Sequence, residues 1–450
     1  MAEILVEHVA HDDHHGHDVH ETGPLRYVMG GAMRATLLGG IGLGVLCLIL
    51  SFFIDGTEFH TRFWSNWLHN SVFFLGVAFM SLFLVAAKVL MYSGWHTVFK
   101  RVWEAYAQFL PVAIGLLAVV VVGVFTHAHH LYHWADADAV ATDDLLEAKS
   151  AFLNPGWFTA AAILIPVIWY VGFAIPLRRL SREEDERGGT EYKQHMRMRK
   201  VAGIFLPIAA FSSAAVIWQL VMSVDAHWYS TLFAWYATAS WLVATVALTI
   251  VVLIYLKTVG YFPQVTADHL HDLGKYMFAF SIFWTYLWFS QFMLIWYGNV
   301  GEETVYYQTR MGEFPILFWA NLALNFVLPF FVLMPNTTKR RLGPLAFVAI
   351  LVAFGHWLDF FQMLKPGILH TAMEAAEHAA TDPTAVEHAA GEHHGASTFL
   401  AGFTIPGLIE IGTFVGFLSL FWLVTLGALG RLNLVPLKDP YLEESLHHHV

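Results

Sequence analysis

Two short stretches hold the residue types that move protons. In GHWLDFFQMLKP (355–366), His356 and Asp359 stand three apart on one helical face, with Met363 a further turn along. A carboxylate beside an imidazole can relay a proton, because each holds it in turn. The same pair could equally be a static clamp between helices. In VMSVDAHWYSTLF (221–233), Asp225 and His227 join Gln219 and Ser223 in a polar cluster near a helix end. An Asp and a His there could hydrogen-bond a quinol headgroup and accept its protons, or Asp225 could cap a short re-entrant turn. Glu410, Lys88 and Glu104 are further charges in or beside apolar segments, and Lys88 has the option of snorkelling to the headgroups. An ionisable group at membrane depth costs about 2.5–3.5 kcal/mol on insertion scales, so each needs a partner or a purpose.

A third stretch, SIFWTYLWFSQFMLIWYGNVGEETVYYQTR (281–310), is apolar and aromatic up to Tyr297. It nevertheless carries Ser281, Thr285, Tyr286, Ser290 and Gln291. Ser281, Thr285 and Trp288 share one face at helical spacing, as the wall of a polar site would. Polar contacts between neighbouring membrane helices account for such groups as well.

Composition shows what kind of scaffold holds these residues. The chain of 450 residues is 57% hydrophobic and 13% charged, which describes a polytopic, all-α membrane protein rather than a soluble globule. Ten apolar runs are long enough to cross a bilayer, near 32–53, 68–90, 105–125, 157–177, 201–222, 231–257, 276–298, 313–334, 343–365 and 403–428. They form a membrane domain over 32–430, between a His-rich N-terminal tail (1–31) and a C-terminal tail (431–450). An even number of spans puts both termini on one side. Most of the 24 Lys and Arg lie on that side, whereas the other holds Arg62, Lys149, Arg310 and Lys365. Positive-inside bias therefore predicts that both termini are cytoplasmic. The outer loops 126–156 and 366–402 are acidic and His-rich, suited to partner proteins outside the membrane or to plain solvation.

Composition also excludes. Cys47 is the one cysteine, so no disulfide, thiolate metal site, iron–sulfur cluster or covalent haem attachment can form within the chain. The net charge of −11 argues against nucleic acid as a partner. No cleavable signal is visible in the first 30 residues. Haem b would require paired mid-depth histidines, and His69, His127, His227 and His356 read mostly as helix-end residues. The His-rich tails lack a rigid ligand spacing, so no metal is expected. Gly40 and Gly44 predict a close helix approach. No internal repeat is evident, and Pro166, Pro207 and Pro329 form no matched pair.

Word order adds a resemblance. The segments VMSVDAHWYSTLF, HDLGKYMFAFSIFWTYLWFSQFMLIWYGNVGEET (271–304) and GHWLDFFQMLKP resemble the second polysulfide-reductase-type (NrfD-like) membrane subunit of alternative complex III, a bacterial quinol:cytochrome c oxidoreductase. The run Trp288-Phe289-Ser290-Gln291 followed by Trp296-Tyr297-Gly298-Asn299 carries it most specifically. The resemblance implies two four-helix bundles, about helices 2–5 and 6–9, with helices 1 and 10 beside them, in the bacterial inner membrane. It implies as partners a related NrfD-like membrane subunit, a periplasmic iron–sulfur subunit and c-type cytochromes, which hold the iron–sulfur clusters and haem c. Menaquinone or ubiquinone and lipids are the small molecules it brings to this chain, which itself holds no redox centre. The quinol pocket in such complexes is usually assigned to the related subunit, so the resemblance leaves the buried polar groups here to proton translocation or assembly, with quinone binding by this chain as the alternative. An autonomous proton- or ion-coupled transporter, working through Asp359, His356 and Glu410, is the other reading.

Overall fold

The structure is a computed structural model that describes residues 26–449 apart from 56, 58, 188–191 and 382–401, with the backbone alone for 374–381. The described residues are helical and contain ten helices long and apolar enough to cross a membrane. These are α1 (Gly31–Ile54), α2 (Thr61–Leu90), α3 (Thr97–Phe125), α4 (Pro155–Arg187), α5 (Lys193–Val224), α6 (Thr231–Thr258), α7 (Ala267–Gly298), α8 (Pro315–Leu333), α9 (Leu342–Thr381) and α10 (Leu408–Leu429). Helices α2 and α6 are the central posts, each buried over 89% of its apolar window, because each is surrounded by partners. Helix α2 packs on α3, α5, α6 and α9, and α6 packs on α5, α7 and α9. Two groups of four result, α2–α5 and α6–α9, joined along α2 and α6. Helices α1 and α10 lie together against α2 and α3. Their contact is a glycine seam: a Cβ on Gly44 would stand 2.5 Å from the Gly416 Cα, so only glycine admits this approach.

Hydropathy located all ten helices but shortened several. Helices α2, α3 and α7 begin about two turns before their apolar runs. The reason is that their polar ends are buried and paired: Arg62 on α2 bonds Glu410 on α10, and Arg101 on α3 bonds Glu104. Helix α9 is the largest departure. It runs on through Lys365, Pro366 and Gly367 to Thr381, so the outer loop expected from 366 starts as helix, and Lys365 is buried inside the bundle. Residues 382–401, and all but the end of the His-rich tail, lie outside the described residues.

The two bundles also repeat one another in detail, which corrects the reading that no matched pair exists. The third helix of each opens with proline at its first turn, Pro155 and Pro315. Each then widens into a π-helical turn, Ala160–Leu164 and Ala323–Val327. Each carries a proline two residues later, Pro166 and Pro329. The first helices share Asp55…Thr61-Arg62-Phe63 and Asp225…Thr231-Leu232-Phe233. The last share Ala210-Phe211…Trp218-Gln219 and Ala353-Phe354…Phe361-Gln362. The pairing is hard to see in the sequence because apolar residues interchange freely on lipid-facing and core surfaces.

Candidate functional site

Asp359 lies on the inward face of α9 at the centre of the second bundle, with no exposure. Helical spacing brings a different donor to it from each neighbouring helix. The Tyr236 hydroxyl of α6 donates to Oδ1, as does Asn321 Nδ2 of α8 at 2.7 Å. Trp284 Nε1 of α7 donates to Oδ2 at 2.9 Å. Every one of these donors is neutral. One helical turn away on α9, His356 Nδ1 meets the Ser240 hydroxyl of α6 at 2.9 Å. Ser240 also faces the Asp359 carboxylate, so it stands between imidazole and carboxyl. Asn325 backs the arrangement, donating to Asn321 Oδ1 at 2.6 Å and to the Gly355 carbonyl at 3.0 Å. Buried His356 Nε2 and Ser281 Oγ have no protein partner among the described residues, the kind of group that ordered water satisfies.

A second group lies at the face opposite the termini. Pro366 has no N–H to give to the carbonyl four residues before it, which leaves the Gln362 carbonyl free. Arg310 fills that vacancy, donating from Nε to Gln362 O and from Nη2 to Met363 O, each at 3.3 Å. The same guanidinium donates to Asp225 Oδ2 at 2.8 Å and stacks 3.4 Å over the Tyr306 ring. Gly367 is required here, since a Cβ would lie 2.6 Å from Asp225 Oδ1. Burial pushes the Tyr306 phenol up, with Arg310 acting the other way. A cavity of about 320 Å³ opens beside this group, lined among others by His133, His227, Trp228, Tyr306 and Arg310. The Phe233 ring touches both Tyr306 (6.2 Å) and Tyr236 (6.0 Å), so one side chain stands between the cavity wall and the Asp359 cluster.

A third buried group joins α2, α9 and α10. Arg62 holds Glu410 with two bonds, 2.8 and 3.0 Å, and Asn66 and the Gly407 N–H complete the carboxylate. Lys365, fully buried, donates to Ser65 Oγ at 2.7 Å and Asn66 Oδ1 at 2.6 Å. His69 sits mid-helix rather than at an end, its Nε2 within 2.9 Å of the Trp357 carbonyl.

The residues singled out from sequence thus fall into separate places. His356 and Asp359 are together. Asp225 and His227 are not paired with each other: Asp225 takes Arg310, and His227 bonds Asp143 of the 126–156 loop at 2.5 Å. Gln219 donates to the Phe152 carbonyl, tying the end of α5 to the segment that leads into α4, and Ser223 donates to the Gln219 carbonyl within the local turn. Lys88 does not snorkel; it is buried near the termini, bonded to the Tyr276 hydroxyl under the Trp95 ring. Glu104, at the same end, is held by Arg101 and Ser181. On α7, Ser281, Trp288 and Gln291 face inward, while Thr285 and Ser290 are half-buried and the Thr285 hydroxyl bonds back to the Ser281 carbonyl. Trp284, on that same face, is the α7 residue that reaches Asp359.

Sequence reasoning missed Tyr236, Ser240, Trp284, Asn321, Asn325, Lys365 and Arg310. A usable signal was there for two pairs, since Tyr236/Ser240 and Asn321/Asn325 each put polar groups four apart in an apolar span. Among the described residues no three His, Cys, Asp or Glu side chains gather as a metal site would require. Comparison of the chain with protein-family models and with curated proteins gives no match.

Proposed function

We propose that this chain is an integral membrane subunit of a bacterial quinol-oxidising complex of the alternative complex III type, and that the Asp359 cluster handles protons within it. The observation that carries the proton role is the environment of Asp359: a fully buried carboxyl bonded by neutral donors from three helices, with His356 and Ser240 alongside. Burial disfavours a charged carboxylate and hydrogen-bond donors favour it. With no cation among the described residues bonded to it to fix the charged form, such a group is free to take up and give back a proton. The Arg62–Glu410 pair is the opposite case, a carboxylate held charged by a bidentate arginine. Its role is structural.

The assignment to a redox complex rests on the resemblance, and one feature supports it. The three segments that carry the resemblance pack around one cluster: Phe233 of 221–233 lies against Tyr236, 271–304 supplies Trp284, and 355–366 supplies His356 and Asp359. In this reading both termini are cytoplasmic and the 320 Å³ cavity faces the periplasmic partners, the iron–sulfur and cytochrome c subunits and the related membrane subunit. The chain holds no redox centre and supports quinol oxidation through proton transfer and assembly, with quinone and lipid as its small-molecule contacts.

The transporter reading gains from the matched prolines of α4 and α8, since paired interruptions in two halves mark transporter sites. It loses because both helices continue through their π turns, with no helix ends exposed to coordinate a substrate. Purification in mild detergent separates the readings. Co-isolation with haem c and iron–sulfur absorbance supports the complex; a colourless homo-oligomer with ion-transport activity overturns it.

A further inference from the structure

A cleft of about 530 Å³ lies between the end of α5, the start of α6 and the segment that leads into α4, within the range of small-molecule sites. Its walls are mainly apolar, from Phe152, Leu153, Trp218, Met222, Trp228 and Tyr229. Exposed Trp157, Tyr229 and Trp235 lie around this end of the bundle, which sets it at headgroup depth. The buried indole N–H groups of Trp218 and Trp228 have no hydrogen-bond partner among the described residues.

Lys149 stands at the rim. Its ammonium is fixed by the Ala226 carbonyl at 2.8 Å and the His227 carbonyl at 3.0 Å. An ammonium has three donors, so one remains. No carboxylate among the described residues lies within ion-pair distance of it. Of the four basic residues on this face, Arg62, Arg310 and Lys365 are buried, which leaves Lys149 as the one cation at this surface among the described residues. Asp143 and Glu302 are close enough to act on it electrostatically, and acidic Asp144 and Glu147 share its short helix. A cation over an apolar cleft, with the Asp143 and Glu302 carboxylates acting on it, matches a headgroup with a phosphate at its root and an ammonium at its tip.

We infer that the cleft binds a zwitterionic aminophospholipid, with an acyl chain along Phe152, Leu153 and Met222, its ester oxygens accepting from the free indole N–H groups of Trp218 and Trp228, the phosphate on Lys149 and the terminal ammonium toward Asp143 and Glu302. A headgroup with net negative charge would gain the same lysine but meet those carboxylates with repulsion. The inference stands apart from the redox reading, since it uses none of the residues around Asp359.

The test uses the protein with whatever subunits purify with it, placed in nanodiscs of equal phosphatidylethanolamine and phosphatidylglycerol. Phospholipid retained through detergent extraction is then counted by native mass spectrometry. The wild type should keep phosphatidylethanolamine selectively. Lys149→Gln should bind it about tenfold more weakly, the loss expected for one charge-assisted hydrogen bond. Met222→Trp, which fills the cleft but leaves the lysine intact, should also lose it. Equal retention in Lys149→Gln and wild type would overturn the inference. So would equal retention of phosphatidylglycerol, or occupancy by a neutral isoprenoid that Lys149→Gln leaves unchanged.

Discussion

Replacing Asp359 by asparagine separates proton handling from packing. The side chain keeps its shape but loses the exchangeable proton. The amide oxygen can take the Oδ1 place and go on accepting from Tyr236 and Asn321, which leaves the amide N–H₂ facing Trp284 Nε1. The Trp284 N–H and the new amide N–H₂ are then both buried donors without an acceptor, each at a cost of about 1–3 kcal/mol, or nearer ~0.6 by the average for polar contacts between membrane helices. A domain with a stability of roughly 5–15 kcal/mol tolerates that loss. Asp359→Ala strands all three donors and opens a void, so its cost is a multiple of the same figure. The assay compares subunit content, thermal stability, quinol turnover and proton release in complexes carrying each variant. We expect Asp359→Asn to assemble with normal haem content and lose proton-coupled turnover, and Asp359→Ala to assemble poorly. Normal proton-coupled turnover in Asp359→Asn would refute the proton role. Matching assembly defects in both variants would make the residue a clamp.

Other perturbations test the rest of the structure. Glu410→Gln leaves Arg62 buried and uncompensated and should destabilise the chain by about 3–5 kcal/mol; thermal melting should show the Arg62→Gln/Glu410→Gln pair costing less than the two singles added together. Gly44→Leu should force α1 from α10, an overpacking cost of about 1–3 kcal/mol, read as new protease sensitivity in α1. The hydrogen bond from His227 holds the Asp143 carboxyl below the usual carboxylate range. A depressed carboxyl stabilises the fold above its unfolded value and loses that effect as pH falls through the folded one. Amide protection factors in 137–149, corrected for the intrinsic pH dependence of exchange, should therefore hold at neutral pH and fall only on acidification below the ordinary Asp range, and Asp143→Asn should remove that pH dependence.

The sequence made the helices legible because a bilayer demands long apolar runs whatever the fold. It did not give their ends. Arg62, Lys365 and Arg310 look like loop residues by charge, yet each is buried because a partner hundreds or tens of positions away accepts its hydrogen bonds. His356 and Asp359 stood out as ionisable groups in an apolar run. Their setting did not, since Tyr236, Trp284 and Asn321 come from three other helices and each reads alone as an ordinary membrane residue. Local spacing placed Ser281, Thr285 and Trp288 on one face correctly for Ser281 and Trp288. It could not tell that Trp284, on the same face, points to the carboxyl. Asp225 and His227 show the limit in reverse: two residues apart in sequence, they serve different partners because the turn between α5 and α6 sends their side chains to different segments.

In the complex as proposed, the Asp359 carboxyl changes protonation during turnover. Infrared difference spectroscopy of the assembled complex, started by quinol addition, reads this directly in the carboxyl C=O stretch. A carboxyl band should change during turnover and be missing from Asp359→Asn. An identical band in Asp359→Asn, or turnover with no change in the carboxyl region, would contradict that protonation change.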